Sequence, residues 1–472
     1  ASGTRRAVIL ECRHTVESAM IKNYNEFIKS KNFKSIPAGF CDVDLSGCPL
    51  FDYQADIVRW ALRRGKAAIF ADTGLGKTIM QLCWADQVAK KTGRPVLILA
   101  PLAVSDQTIS EGERFGIKVS RYSKTASGVC ITNYEQLHNV DVQLFSGVVL
   151  DESSILKGID SKTKKLCCES FKSTPYRLSC TATPSPNDFM ELGTQAEFLS
   201  IMSQVEMLAM FFVHDGSDTS KWRLKGHGKR KFFEWLATWA VFITKPSDLG
   251  YSDDGHELPE LVFHEHIIDS GITDGLFAPI ASGLLERNRA RKDTVQSRVD
   301  EAATIANGVK GQCLVWCHLN DESEKLCAAI ADAVEVKGAD EAAHKTAALI
   351  GFASGQVIKL VTKPKIAGFG MNWQSCNQMV FVGLSDSWEQ FYQDVRRCWR
   401  YGQKRPVHVH IVSADVEGGV LANIKRKEQQ HKQLTREMIA VMKDKTLAEI
   451  GRAQQEKAEY INNEKMEIPS WA

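Results

Sequence analysis

The residues Ala71 to Thr78, ADTGLGKT, follow a short apolar run and precede the apolar-periodic IMQLCWA. That is the strand, loop and helix context of a phosphate-binding loop. Gly74 and Gly76 let backbone N–H groups turn toward phosphate, and the start of the next helix adds its positive dipole end. Within the set Asp72, Thr73, Gly74, Leu75, Gly76, Lys77 and Thr78, Lys77 is expected on the β- and γ-phosphates and the Thr78 hydroxyl on Mg²⁺. Ala71 stands where a glycine usually opens the pattern and leaves the phosphate-facing residues intact.

The run Gly147 to Ser154 puts Asp151 and Glu152 at the C-terminal end of an apolar strand, where ligand-facing residues of an α/β sheet belong. Asp151 is expected to hold Mg²⁺, and Glu152 to orient and polarise an attacking water. Upstream, FDYQADIV supplies Tyr53 and Gln54, an aromatic ring and an amide fork suited to reading adenine. ATP and Mg²⁺ are therefore the expected cofactors.

The elements that must position these groups alternate. From Cys48 to about Pro186 the runs AAIFA, VLILA, VCIT, VVLD and RLSCTAT are apolar or β-branched, most of them separated by amphipathic stretches, which predicts a parallel α/β sheet. Residues 190–250 read as a helical insertion rich in Phe, Met and Trp, with MLAMFFV and KFFEWLATWAVFI. Alternation resumes with CLVWC, VIKLVT, QMVFVG and VHVHIV, a second α/β lobe. After Asn423 a charged tail carries Leu434, Met438, Val441 and Met442 at helical spacing, which predicts a docked helix. The resulting division is an accessory segment over 1–48, a first lobe over 49–260, a second over 261–424 and a tail over 425–472.

A chain of 472 residues with 44% hydrophobic content exceeds one ordinary core. Its net charge of +2 confines any nucleic-acid surface to a local stripe. The thirteen cysteines include the adjacent Cys167 and Cys168 but no CxxC, so reduced thiols and a cytoplasmic setting are expected, with no membrane span.

In order, FDYQ, DTGLGKT, LAPLAV, ITNYEQL, LDESSILK, SCTATPSPNDFMEL, LVWCHLNDESEKL, KIAGFGMNW and SWEQFYQDVRRCWRYGQ make the chain resemble superfamily-two helicases. More specifically, they resemble the Swi/Snf-type DNA translocases and their small relatives in phages and prophages. The match runs from about Leu50 to Ile424. Its most specific part is the Gln…Arg-x-x-Arg-x-Gly-Gln string filled by Gln393, Arg397, Arg400, Gly402 and Gln403. Ser153-Ser154 departs from the Gly-His or Ala-His of relatives, which puts in doubt the interlobe contact that histidine makes.

The resemblance implies two RecA-like lobes of a P-loop NTPase that close on ATP. An arginine brought from the second lobe stabilises γ-phosphoryl charge by roughly a thousandfold or more; Arg400 is the expected finger, with Arg397 beside it. It further implies that Thr181 and Thr183 couple nucleotide state to the track. Gly368, Gly370, Met371 and Asn372 would line the closing interface, with Gly370, Asn372 and Gln393 toward the nucleotide. DNA is the implied partner, duplex ahead of single strands and RNA behind both, gripped through phosphates. Pro101, Thr132, Asn133, Lys157, Lys365 and Trp388 are the expected contacts. The basic-aromatic run Lys221 to Trp235 is a further grip, although Trp235 and Trp239 at i, i+4 fit a helical core. The expected protein is a monomer in isolation, in a bacterial or phage-infected cell, with room for protein partners at the N-terminal segment and the tail. A strand-separating DNA or RNA helicase and an ATP-binding scaffold without motor activity remain open; a P-loop kinase would leave the second-lobe string unexplained.

Overall fold

The computed structural model describes residues 38–158, 161–185, 188–215, 218–269, 293–367, 371–385, 387–415 and 418–459. Residues 1–37 of the expected accessory segment, together with Pro186, Asn187, Gly368 and Gly370, lie outside the described residues.

The strands of the first lobe are β1 (Lys66–Ala71), β2 (Val96–Ala100), β3 (Val119–Arg121), β4 (Val129–Asn133), β5 (Gly147–Asp151) and β6 (Tyr176–Thr181). The insertion adds β7 (Phe212–Asp215), β8 (Asp218–Leu224) and β9 (Ala240–Ile243). The second lobe holds β10 (Leu261–Ile268), β11 (Cys313–Trp316), β12 (Ala333–Val336), β13 (Lys359–Thr362), β14 (Gln378–Val382) and β15 (Val407–Ala414). One sheet runs β3-β4-β2-β5-β6-β1-β9 and the other β10-β15-β14-β11-β13-β12. Every described pairing within either sheet is parallel. Parallel strands need crossovers, and the resulting helices cover both faces, which is why β1, β2 and β5 carry unbroken apolar runs instead of alternating ones.

The α/β architecture with two parallel-sheet lobes is the one expected. The insertion is helical over Leu192–Phe198, Gln204–Phe211 and Lys229–Leu236. It also holds the antiparallel hairpin β7–β8 and the edge strand β9, which pairs with β1. The run AVFI therefore leaves a helix at Leu236 and enters the sheet. A short apolar run has no periodicity to separate buried strand from buried helix. Trp235 and Trp239 are core residues of this lobe, as their spacing suggests.

The C-terminal helix Gly418–Glu459 belongs to both lobes. Val420 and Ile424 pack into the core of the second lobe, whereas Met438 and Met442 are buried in that of the first, where Lys229 pairs with Glu437. The described cysteines are free thiols. No described helix is long and apolar enough to cross a membrane.

Candidate nucleotide site between two lobes

In the order β5-β6-β1, the C-terminal ends of three neighbouring strands deliver Asp151, Thr181 and the phosphate loop to one edge of the first sheet. Gly74 and Gly76 have φ of +91° and +77°, and a Cβ on Gly76 would meet Gln54 Nε2 at 2.3 Å. A Cβ on Gly74 would meet the backbone N of Tyr401, from the second lobe, at 3.1 Å. Both glycines hold a backbone conformation that L side chains rarely adopt. Lys77 opens the helix Lys77–Thr92 and donates from Nζ to Ala71 O at 2.9 Å, so its ammonium rests on the loop's own carbonyl. Thr78 follows it in the first turn.

Asp151 is buried, and its carboxyl is pushed up to about 7, first by burial and then by Glu152, against the opposing pull of Lys77 and Gln81. Its carbonyl accepts from Tyr134 Oη at 2.8 Å. Glu152 has φ 53° and ψ 53°, the left-handed region, and its Oε2 accepts from Thr181 Oγ1 at 3.2 Å. Ser153 and Ser154 are buried, and Ser153 O accepts from Gln195 Nε2 at 2.7 Å. The interlobe contact is made nearby: Glu389 of the second lobe accepts from Thr183 Oγ1 at 3.0 Å and pairs with Lys157.

The second lobe presents the helix Trp388–Val395 and the arginines after it. Arg396, outside the expected set, reaches the phosphate loop and pairs with Asp72 Oδ2 at 2.6 Å. Tyr392 Oη donates to Asp72 Oδ1 at 2.5 Å, and the guanidinium lies 4.3 Å from the Trp399 ring centroid. Arg397 donates to Met371 O at 3.4 Å and Arg400 to Asn372 Oδ1 within the second lobe, while Glu152 and Glu111 of the first lobe act on Arg397 and Arg400 respectively through their charge. Burial, then Arg397, lowers the Arg400 guanidinium to about 10, which leaves it charged at neutral pH. Sequence reasoning missed Arg396 because the family string marks Arg397 and Arg400; the adjacent arginine was the available signal.

The two residues expected at adenine lie against the glycine-rich loop. Tyr53 is buried, with its hydroxyl on Leu75 O at 3.1 Å and against His256 Nε2 at 3.2 Å. Gln54 spends its amide on Leu75 O at 3.0 Å and on Phe51 N at 2.9 Å. Both brace the loop from behind. The exposed rings beside it are Phe51, 50% exposed and stacked on Tyr53, and Tyr401, 43% exposed and packed against His256.

A cleft of about 1350 Å³ runs between the lobes, lined by Pro101, Glu152 and Lys157 on one side and by Lys345, Lys365 and Gln393 on the other. Lys345 and Arg114, which also borders this cleft, were not foreseen. Trp388, expected on nucleic acid, is 3% exposed and stacks on Tyr392. Lys157 lines the cleft but is paired with Glu389. Thr132 and Asn133 end β4, and Asn133 Oδ1 caps the following turn by accepting from Gln136 N at 3.0 Å. In the basic insertion Lys229 and Arg230 are paired with Glu437 and Glu234.

Residues 53–211 match the family model described as the SNF2-related domain. A Xenopus tropicalis protein, "SWI/SNF-related matrix-associated actin-dependent regulator of chromatin subfamily A-like protein 1", is 30% identical over 174 residues. That similarity covers 33% of this chain and 18% of the Xenopus protein. "Putative protein p41" of Acyrthosiphon pisum secondary endosymbiont phage 1 is 25% identical over 436 residues, covering 77% of this chain and 92% of the phage protein. Among solved structures, the "Sulfolobus solfataricus SWI2/SNF2 ATPase core in complex with dsDNA" aligns with a TM-score of 0.41 and 16% identity, over 86% of this chain and 98% of that one. The glycine-rich loop, Asp151, Glu152 and Thr181 all lie inside the span that matches the SNF2-related domain model.

Proposed function

We propose that this chain is an ATP-hydrolysing motor, Mg²⁺-dependent and stimulated by DNA, that translocates along duplex rather than separating strands. The observation that carries the reading is the meeting of the phosphate loop of one sheet with the arginine-bearing segment of the other, through Asp72 and Arg396. Chemistry assembled from two bodies requires closure to act and opening to release, and that cycle can drive stepping. The sequence resemblance and the chromatin regulator among the relatives support duplex DNA as the track. The phage relative supports a bacterial or phage-infected cell as the setting.

Lys77 would exchange the Ala71 carbonyl for the β- and γ-phosphates, and Glu152 would orient the attacking water. Arg397 and Arg400, leaving Met371 and Asn372, would neutralise charge at the γ-phosphoryl group. Thr78 and Asp151 offer hard oxygen donors that would hold Mg²⁺. The buried Asp151, raised by burial and by Glu152, is a place where a divalent cation supplies missing positive charge. Bound there, Mg²⁺ would offset the negative charge of the phosphates.

The test is ATP hydrolysis by the wild type and Lys77→Ala without polymer and with duplex DNA, single-stranded DNA or RNA. Duplex stimulation that disappears in the variant is expected; absence of hydrolysis under every condition would leave an ATP-binding scaffold.

A further inference from the structure

We infer that Glu389 is a positioning residue that couples occupancy of the interlobe cleft to the water-orienting carboxylate. This rests on the motor reading above. Glu389 lies on the second lobe, yet both its oxygens are held by the first: Oε1 by Thr183 Oγ1 at 3.0 Å and Oε2 by Lys157 Nζ. From Thr183 the path turns inward. Thr183 N donates to Thr181 Oγ1 at 3.2 Å, and that hydroxyl donates to Glu152 Oε2 at 3.2 Å. A hydrogen-bonded path therefore joins Glu152 to a carboxylate of the opposite lobe and ends on Lys157, whose side chain is 42% exposed in the cleft.

The two ends of this path differ in what can disturb them. Glu389 is 8% exposed, and a carboxylate so enclosed tolerates loss of a cationic partner poorly. Lys157 is open to the cleft, where a polyanion's phosphates compete for it. When a phosphate draws Lys157 away, Glu389 keeps the Thr183 hydroxyl alone. The closed arrangement then loses part of its support, and the shift passes through Thr181 to Glu152. The Lys157, Glu389 and Thr183 triad thus ties the second lobe to the first at the mouth of the cleft.

Steady-state ATP hydrolysis by the full chain, with and without a duplex oligonucleotide, tests the coupling in Glu389→Gln, Thr183→Val and Thr183→Ser. Glu389→Gln keeps an acceptor for Thr183 and loses the charge that holds Lys157. The ratio of DNA-stimulated to DNA-free kcat is expected to fall about fivefold or more, a typical intersite coupling, with KM for ATP held within about twofold. Thr183→Val should lower the ratio likewise, while Thr183→Ser, which retains the hydroxyl, should preserve it. A merely structural role would depress both rates together. A ratio within about twofold of wild type in both Glu389→Gln and Thr183→Val would overturn the coupling. Should Glu389→Gln lack a cooperative melt, the Thr183 pair decides. A wild type without any DNA stimulation would instead refute the motor reading, and the coupling with it.

Discussion

Glu152 holds its carboxylate on a backbone at φ 53° and ψ 53°, a conformation that costs a residue with a Cβ about 1–2 kcal/mol. Glu152→Ala and Glu152→Gly remove the same carboxylate, the same repulsion of Asp151 and the same acceptor for Thr181. Their difference therefore isolates the backbone. In the folded state glycine escapes the left-handed penalty; in the unfolded chain its greater freedom takes back about 0.4–1 kcal/mol. Glu152→Gly is thus expected to exceed Glu152→Ala in stability by about 0.5–1 kcal/mol. For a lobe of this size that is a difference in unfolding midpoint of about 1–4 °C. The assay is thermal unfolding of both variants side by side, followed by tryptophan fluorescence and circular dichroism, with ATP hydrolysis lost in both. An alanine variant that melts at or above the glycine variant would refute the reasoning, because the strain would then not reside in that turn. Local backbone cost at such a turn persists only when the surrounding structure over-determines it, here through Tyr134 on Asp151 O and Gln195 on Ser153 O.

Arg396→Gln breaks the pair with Asp72, but both groups regain water when the lobes part, so the loss is capped by opening. Dyes placed on the two lobes should report a larger separation by energy transfer with little change in unfolding midpoint, and an unchanged separation would count against the pair as an interlobe latch. Met438→Ala empties a buried site in the first lobe's core and should lower stability by about 2–5 kcal/mol in urea unfolding unless undocking of the helix intervenes first; Val205→Ala, 77% exposed, is the control expected within about 0.5 kcal/mol of wild type. His410 is held down to about 4 from 6.5, first by burial and then by His264, His266 and His408. The unfolded chain therefore takes up a proton below about 6.5 that the folded one refuses. Its stabilising contribution is full above pH 6.5 and is lost as pH falls toward 4; urea midpoints should decline across that window, and His410→Gln should flatten the decline.

The phosphate loop was legible because its geometry is local: two glycines at positive φ and a lysine at the start of a helix depend on neighbours within a few residues. The same holds for Asp151 and Glu152 at the end of β5, and for the alternation that announced two parallel sheets. AVFI was not legible as β9, because four apolar residues after a helix carry no period and only the free edge beside β1 decides their fate. Residue type alone does not tell which aromatic rings are buried: Tyr53 and Trp388 face inward, while Phe51 and Tyr401 are exposed.

By itself, the sequence determined the strand-loop-helix unit, the groups poised at the sheet's C-terminal edge and the existence of a second lobe carrying arginines. Tertiary structure alone decided which of those arginines meets the phosphate loop, which lysine is already paired and which path joins the two carboxylates. Thr183 and Glu389 are separated by 206 positions and Asp72 and Arg396 by 324. Partnerships at such separations are set by how two independently built sheets come together and by which charges must be paired once water leaves the junction, and neither is written in any local pattern of residues.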